Sequence, residues 1–124
     1  MNALVMLAVP LAAAAGGLLR WFIAGRLDTP QGLPVGTWLV NLTGSAAIGA
    51  LAGGFARWQI PLYGDAWLLV AGAGLGSFTT VSAFALHTVV LFDHQLRSAA
   101  IYVAATMLLC PLAAMAGFLL VFTP

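Results

Sequence analysis

The groups in this sequence that could do chemistry are mostly neutral, and they lie inside apolar runs. The stretch GLGSFTTVSAF (74–84) gathers Gly74, Gly76, Ser77, Thr79, Thr80 and Ser82, with Phe78 and Phe84 interleaved. At helical spacing, Thr37, Asn41, Gly44 and Ser45 share one face of a second run. Tyr102, Thr106 and Cys110 repeat every four residues in a third. Amides and hydroxyls present N–H and O–H donors without carrying charge. One cation joins them: Arg20 ends a stripe of Ala13, Gly16, Gly17 and Ala24.

The missing residue types narrow the choice further. No Asp, Glu or Lys falls within the apolar runs. A small four-helix multidrug-type exporter would need a buried carboxylate to exchange protons for its cargo, so that alternative is weakened. His87, His94 and Cys110 are not spaced as a redox or metal centre, and no nucleophile–base pair is legible, so an enzyme is not expected.

The elements that must hold these groups follow from composition. The 124-residue chain is 63% hydrophobic and 6% charged, whereas soluble domains carry about 25% charged residues. It is expected to be an all-α membrane protein in the plasma membrane, one domain over residues 1–124. A spanning helix needs about 20 mostly apolar residues. Four windows meet that length, 3–24, 35–55, 66–92 and 98–122. No Lys or Arg precedes the first window, so it reads as a span rather than a leader. The breaks carry Arg26 and Asp28, then Arg57 and Asp65, then Asp93 and Arg97, with Trp21, Trp38, Trp58, Tyr63 and Trp67 near the edges as an interfacial belt. A formal net charge of +1 and no basic run argue against nucleic acid. The arginine bias across the loops is weak. Either packing sets the orientation, or the chain inserts both ways and pairs with an inverted copy.

Each polar group keeps two readings at this point. The small residues of the first stripe serve close helix packing. Arg20 either snorkels to the membrane edge or finds carbonyls, water or an anion. Asn41 either glues helices together or offers its N–H groups to a ligand, and the Tyr102–Thr106–Cys110 stripe is either structural or part of a path. In 74–84, glycines and a β-branched Thr79–Thr80 pair weaken the helix, predicting a third span broken near its middle. A broken helix leaves carbonyls suited to a cation and N–H groups suited to an anion. An unbroken helix with hydroxyls bonded to its own carbonyls is the other reading.

Four blocks in order, GGLLRWF (16–22), GTWLVNLTGS (36–45), GLGSFTTVSAF (74–84) and Tyr102…Thr106, resemble the Fluc-type (CrcB) fluoride channels over nearly the whole chain. The resemblance implies a passive fluoride channel that lowers cytoplasmic fluoride, built as an inverted, dual-topology dimer with two pores and a structural Na⁺ on its axis. It implies that Gly76 and Thr79 give backbone carbonyls to that Na⁺. It places Asn41, Thr80, Ser82, Phe84, Tyr102, Thr106 and Arg20 along the fluoride path. The chain departs from the family's T-T-F-S-T-F pattern at Val81, where the first pore phenylalanine is expected, and at Ala83; His87 replaces a usual glutamate. These departures keep a partner role open, in which the chain pairs with a paralogous subunit and conducts little alone.

Overall fold

The computed structural model describes residues 3–30 and 32–123. Residues 1, 2 and 124, the ends of the expected domain, and Gln31 in the first loop lie outside the described residues. Among the described residues every regular element is helical: α1 (Ala3–Leu27), α2 (Val35–Arg57), α3 (Asp65–Trp67), a π-helix (Leu68–Leu75), α4 (Gly76–Phe78), α5 (Val81–His94) and α6 (Leu96–Phe122). The short pieces from Asp65 to His94 follow one another as a single span, so four segments are long and apolar enough to cross a membrane. The protein is thus a multi-pass membrane protein.

Helix–helix attachment in lipid cannot rely on hiding apolar side chains, because lipid tails are equally apolar. The chain is accordingly built inside out. Leu4, Leu18, Leu86 and Leu120 are exposed, while Thr37, Asn41 and Thr106 are buried. Close packing comes from missing side chains on the α2–α6 seam. A Cβ at Gly49 would run into the Ala114 carbonyl, one at Gly53 into that of Phe118, and one at Gly117 into that of Ala46. Pro10 and Pro111 lie inside α1 and α6 without ending them, as membrane helices allow.

Helix ends are held by longer-range devices. α2 starts without a local side-chain cap. Asp28 replaces one from outside, accepting the Thr37 N–H at 3.0 Å and the Thr37 hydroxyl at 2.6 Å. At the other end, Ile60 N–H bonds the Phe55 carbonyl at 2.8 Å and Gln59 N–H that of Ala56 at 3.3 Å. This pairing requires a left-handed residue at Gln59, whose φ is 53°.

The third span is broken where the sequence predicts it. α4 ends at Phe78, and Thr79 (φ −76°, ψ 158°) and Thr80 (φ −151°, ψ 121°) are extended before α5 begins. The eight-residue π-helix ahead of the break is a feature that hydrophobic pattern does not signal. Two details of the small-residue stripes also differ from expectation. Gly16 packs on the Gly74 carbonyl, but a Cβ at Gly17 would meet nothing in this chain, so the two do not share a packing face. Gly72 and Gly76 have the four-residue spacing of a small-residue helix contact, but a Cβ at either would meet only atoms of its own helical stretch, at 3.5 Å.

Candidate functional site at the helix break

The break exposes backbone groups in the membrane interior, where each must find a partner. Asn41, from the middle of α2, provides both halves of the answer. Its Nδ2 donates to the Thr80 carbonyl at 3.0 Å, and its Oδ1 accepts the Thr80 N–H at 2.8 Å. An amide has two N–H donors, so one remains for another partner.

Thr80 then caps the second half-helix. Its Oγ1 accepts the Ala83 N–H at 3.1 Å and lies 3.2 Å from the Ser82 hydroxyl. One proton serves that hydroxyl pair and the other is left to be presented. Thr79 instead turns its hydroxyl back to the Leu75 carbonyl at 3.1 Å. These side-chain bonds divert two N–H groups from the helical repeat. Thr80 N–H would otherwise serve the Gly76 carbonyl, and Ala83 N–H the Thr79 carbonyl. Both carbonyls therefore lose their helical donors, and neutral carbonyl oxygens are the donor type that hard cations accept.

Arg20 does not snorkel away from this region. Its Nε donates to the Ser77 carbonyl at 3.2 Å, at the end of the first half-helix, where a positive charge complements the negative end of a helix dipole. Arg20, Asp28, Thr37, Thr80 and His87 border one cavity of about 300 Å³. Within it, His87 Nε2 stands 3.5 Å from the Asp28 carboxylate. Asn41, Thr79, Thr80, Phe84 and Thr106 border a second cavity of about 330 Å³, with Cys110 and Val81 on its wall. Thr80 belongs to both walls.

The remaining members of the expected set stand differently. Ser82 reaches the site through Thr80. Thr106 donates its hydroxyl proton to the Tyr102 carbonyl at 2.8 Å, which leaves lone pairs rather than a donor facing the cavity. Tyr102 is buried in a cluster with Leu91 and Ala99, its ring 5.4 Å from that of Phe84. It lies behind Phe84 rather than on the cavity wall. Asp28 is the residue that spacing arguments missed. Its loop position gives no sign that it holds α2 and faces α5.

The family model described as CrcB-like protein, Camphor Resistance (CrcB), matches residues 7–118. The chain belongs to the CrcB family. Among relatives carrying the name fluoride-specific ion channel FluC, that of Erwinia tasmaniensis is 43% identical over 91 residues, covering 71% of this chain and 70% of its own. That of Chromobacterium violaceum is 37% identical over 111 residues, covering 84% and 86%. The Nitrobacter winogradskyi relative is 36% identical over 121 residues, covering 94% of each chain. For a CrcB chain, the break at Thr79–Thr80 and its clamp by Asn41 lie well inside the matched region.

Proposed function

We propose that this protein is a fluoride-selective passive channel of the plasma membrane, carrying fluoride down its gradient and so lowering its cytoplasmic concentration. The observation that carries the reading is Thr80, which stands on the walls of two cavities and is clamped between them by Asn41. One cavity holds the Arg20 guanidinium beside an Asp28 carboxylate already bonded to Thr37, and the other neutral amide and hydroxyl groups, a sequence suited to attracting an anion and then replacing its water. The names of the relatives support fluoride as that anion.

Fluoride is small, strongly hydrated and an avid acceptor. A conducting site must bind it well enough to strip water yet weakly enough to release it. Neutral hydrogen bonds are worth about 0.5–1.5 kcal/mol net, and those to a charged partner about 1.5–3 kcal/mol. The free Asn41 N–H and the spare proton of the Thr80–Ser82 pair supply donors of that strength. Arg20 keeps a positive charge near the first cavity while its Nε stays committed to Ser77. Phe84 offers the electropositive edge of its ring, with Tyr102 packed behind it, and Thr106 borders the same cavity through its oxygen.

The working unit in this reading is a dimer of inverted copies, with a paralogous subunit as the alternative partner. Val81, on the second cavity's wall, is 81% exposed in the single chain, which leaves that side for a second subunit to close. The Gly76 and Thr79 carbonyls, released by the break, would hold a Na⁺ shared with the partner, which would neutralise carbonyl dipoles where the half-helices meet.

Purified protein in liposomes tests the proposal directly. Efflux of fluoride without efflux of chloride is the expected result. Equal release of both anions, or release of neither, would overturn it.

A further inference from the structure

Asp28 and His87 border two cavities. Besides the Arg20 cavity they line a larger one, of about 650 Å³, between the first loop and the end of α5 that carries His94 and Gln95. Thr80 is in turn common to the Arg20 cavity and the Asn41 cavity. The three cavities thus follow one another through shared walls, and the Asp28–His87 pair stands at the first of these, nearer the loops than the helix break. His87 Nε2 lies 3.5 Å from Asp28 Oδ2, within reach of an ion pair once the imidazole is protonated.

The two partners differ in freedom. Thr37 fixes the Asp28 carboxylate through its N–H and its hydroxyl, so that negative charge stays at the entrance. Imidazole changes charge between about pH 5 and pH 8. Few other charged or titratable groups surround the pair among the described residues. Arg20 comes from α1 and borders the inner cavity. His94, on α5 itself, borders the outer one. Tyr102, from α6, packs on Phe84 of α5 and is neutral in this range, whereas α2 brings only the Thr37 hydroxyl. Arg26, Asp93 and Arg97 border neither cavity.

With a neutral imidazole, an approaching anion meets the Asp28 charge before it reaches Arg20. With an imidazolium, the Asp28 charge is cancelled and Arg20 leaves the entrance net positive. We propose that Asp28 and His87 form a proton-controlled entrance to the fluoride path, which admits fluoride when His87 is protonated and repels it when His87 is neutral. By linkage, fluoride in the entrance must favour the protonated form to the same extent. The inference rests on the fluoride-channel reading above.

Current through purified protein in a planar bilayer tests it, because neutral hydrogen fluoride carries none. Fluoride current is expected to rise about tenfold from about pH 8 to about pH 5.5. His87→Gln should stay low and flat over that range, His87→Arg high and flat, and His94→Gln should retain the rise. A current that ignores pH, or a rise that survives in His87→Gln, overturns the entrance and leaves the channel reading standing. A second readout needs no conduction. In nanodiscs with ¹⁵N-labelled histidine, sodium fluoride replacing sodium gluconate at constant ionic strength is expected to keep His87 protonated to higher pH, and His87→Gln identifies its signals. That effect without current supports the entrance and counts against the channel, whereas absence of both overturns both.

Discussion

Asn41 and Thr80 exchange two hydrogen bonds although they are 39 positions apart, one through each end of the amide. The amide thus treats an isolated residue as a neighbouring strand would, satisfying its N–H and its carbonyl together. Asparagine suits the task because a single short side chain carries both a donor and an acceptor. The same clamp that makes the helix break tolerable in lipid also fixes Thr80 between the two cavities.

Asn41→Asp separates the clamp from the chemistry. The carboxylate still accepts the Thr80 N–H, but it cannot donate, and it places a negative charge beside an anion path. Two like charges about 4 Å apart at an effective dielectric of about 20 repel by about 4 kcal/mol, which corresponds to a flux loss of about a thousandfold. A fluoride electrode following liposome efflux measures it. Undiminished flux would remove Asn41 from the path.

Thr80 is expected to discriminate by its hydroxyl. Thr80→Val keeps the shape but loses the cap on Ala83 N–H and the bond to Ser82. Loss of such a cap costs about 1 kcal/mol, visible as a lower thermal midpoint in detergent, and flux should fall with it. Thr80→Ser restores the oxygen and should recover most of both. Recovery of stability without flux would make Thr80 a structural cap alone.

Much of this is legible in the sequence alone. The four spans follow from length and hydropathy, and the break follows from Gly74, Gly76 and two β-branched threonines in eleven residues. Asn41, Thr79, Thr80, Phe84 and Thr106, which spacing put on three different helices, border one cavity. Relations between helices were not legible, because period and composition describe one helix at a time. Asp28 looks like a loop charge, yet it reaches Thr37 and His87. Gly17 and Gly16 look equivalent in sequence, yet only Gly16 meets the third span. The π-helix escapes notice because its residues are as apolar as any α-helical run.

Asp28 carries the next prediction. Removing its carboxylate leaves the Thr37 N–H and hydroxyl without their acceptor in a buried position. Asp28→Ala should therefore destabilise the protein by about 1–3 kcal/mol, read as a shift of the unfolding transition in SDS. Asp28→Asn retains an accepting oxygen and should lose less. Equal effects would show that the negative charge, rather than the acceptor, is what α2 requires.

Gln59 offers a gain instead of a loss. Its φ of 53° ends α2 in the left-handed region, which costs a residue with a Cβ about 1–2 kcal/mol relative to glycine. Gln59→Gly should raise stability by about 1 kcal/mol with unchanged fluoride flux, since it is remote from both cavities. A lower unfolding midpoint would mean that the Gln59 side chain contributes a contact outweighing its backbone cost.

Val81 bears most directly on whether the chain works with copies of itself. It borders the Asn41 cavity yet is 81% exposed in the single chain, so a larger side chain displaces little. In the dimer proposed above Val81 faces the second subunit, so the thermal midpoint of Val81→Phe is measured beside its flux to separate packing from the added ring. A phenyl ring would add an electropositive edge toward the path, where an isopropyl group offers none. Fluoride efflux from liposomes is expected to rise several-fold, with chloride still excluded. Unchanged flux would show that Phe84 and the Thr80–Asn41 groups already suffice in this chain.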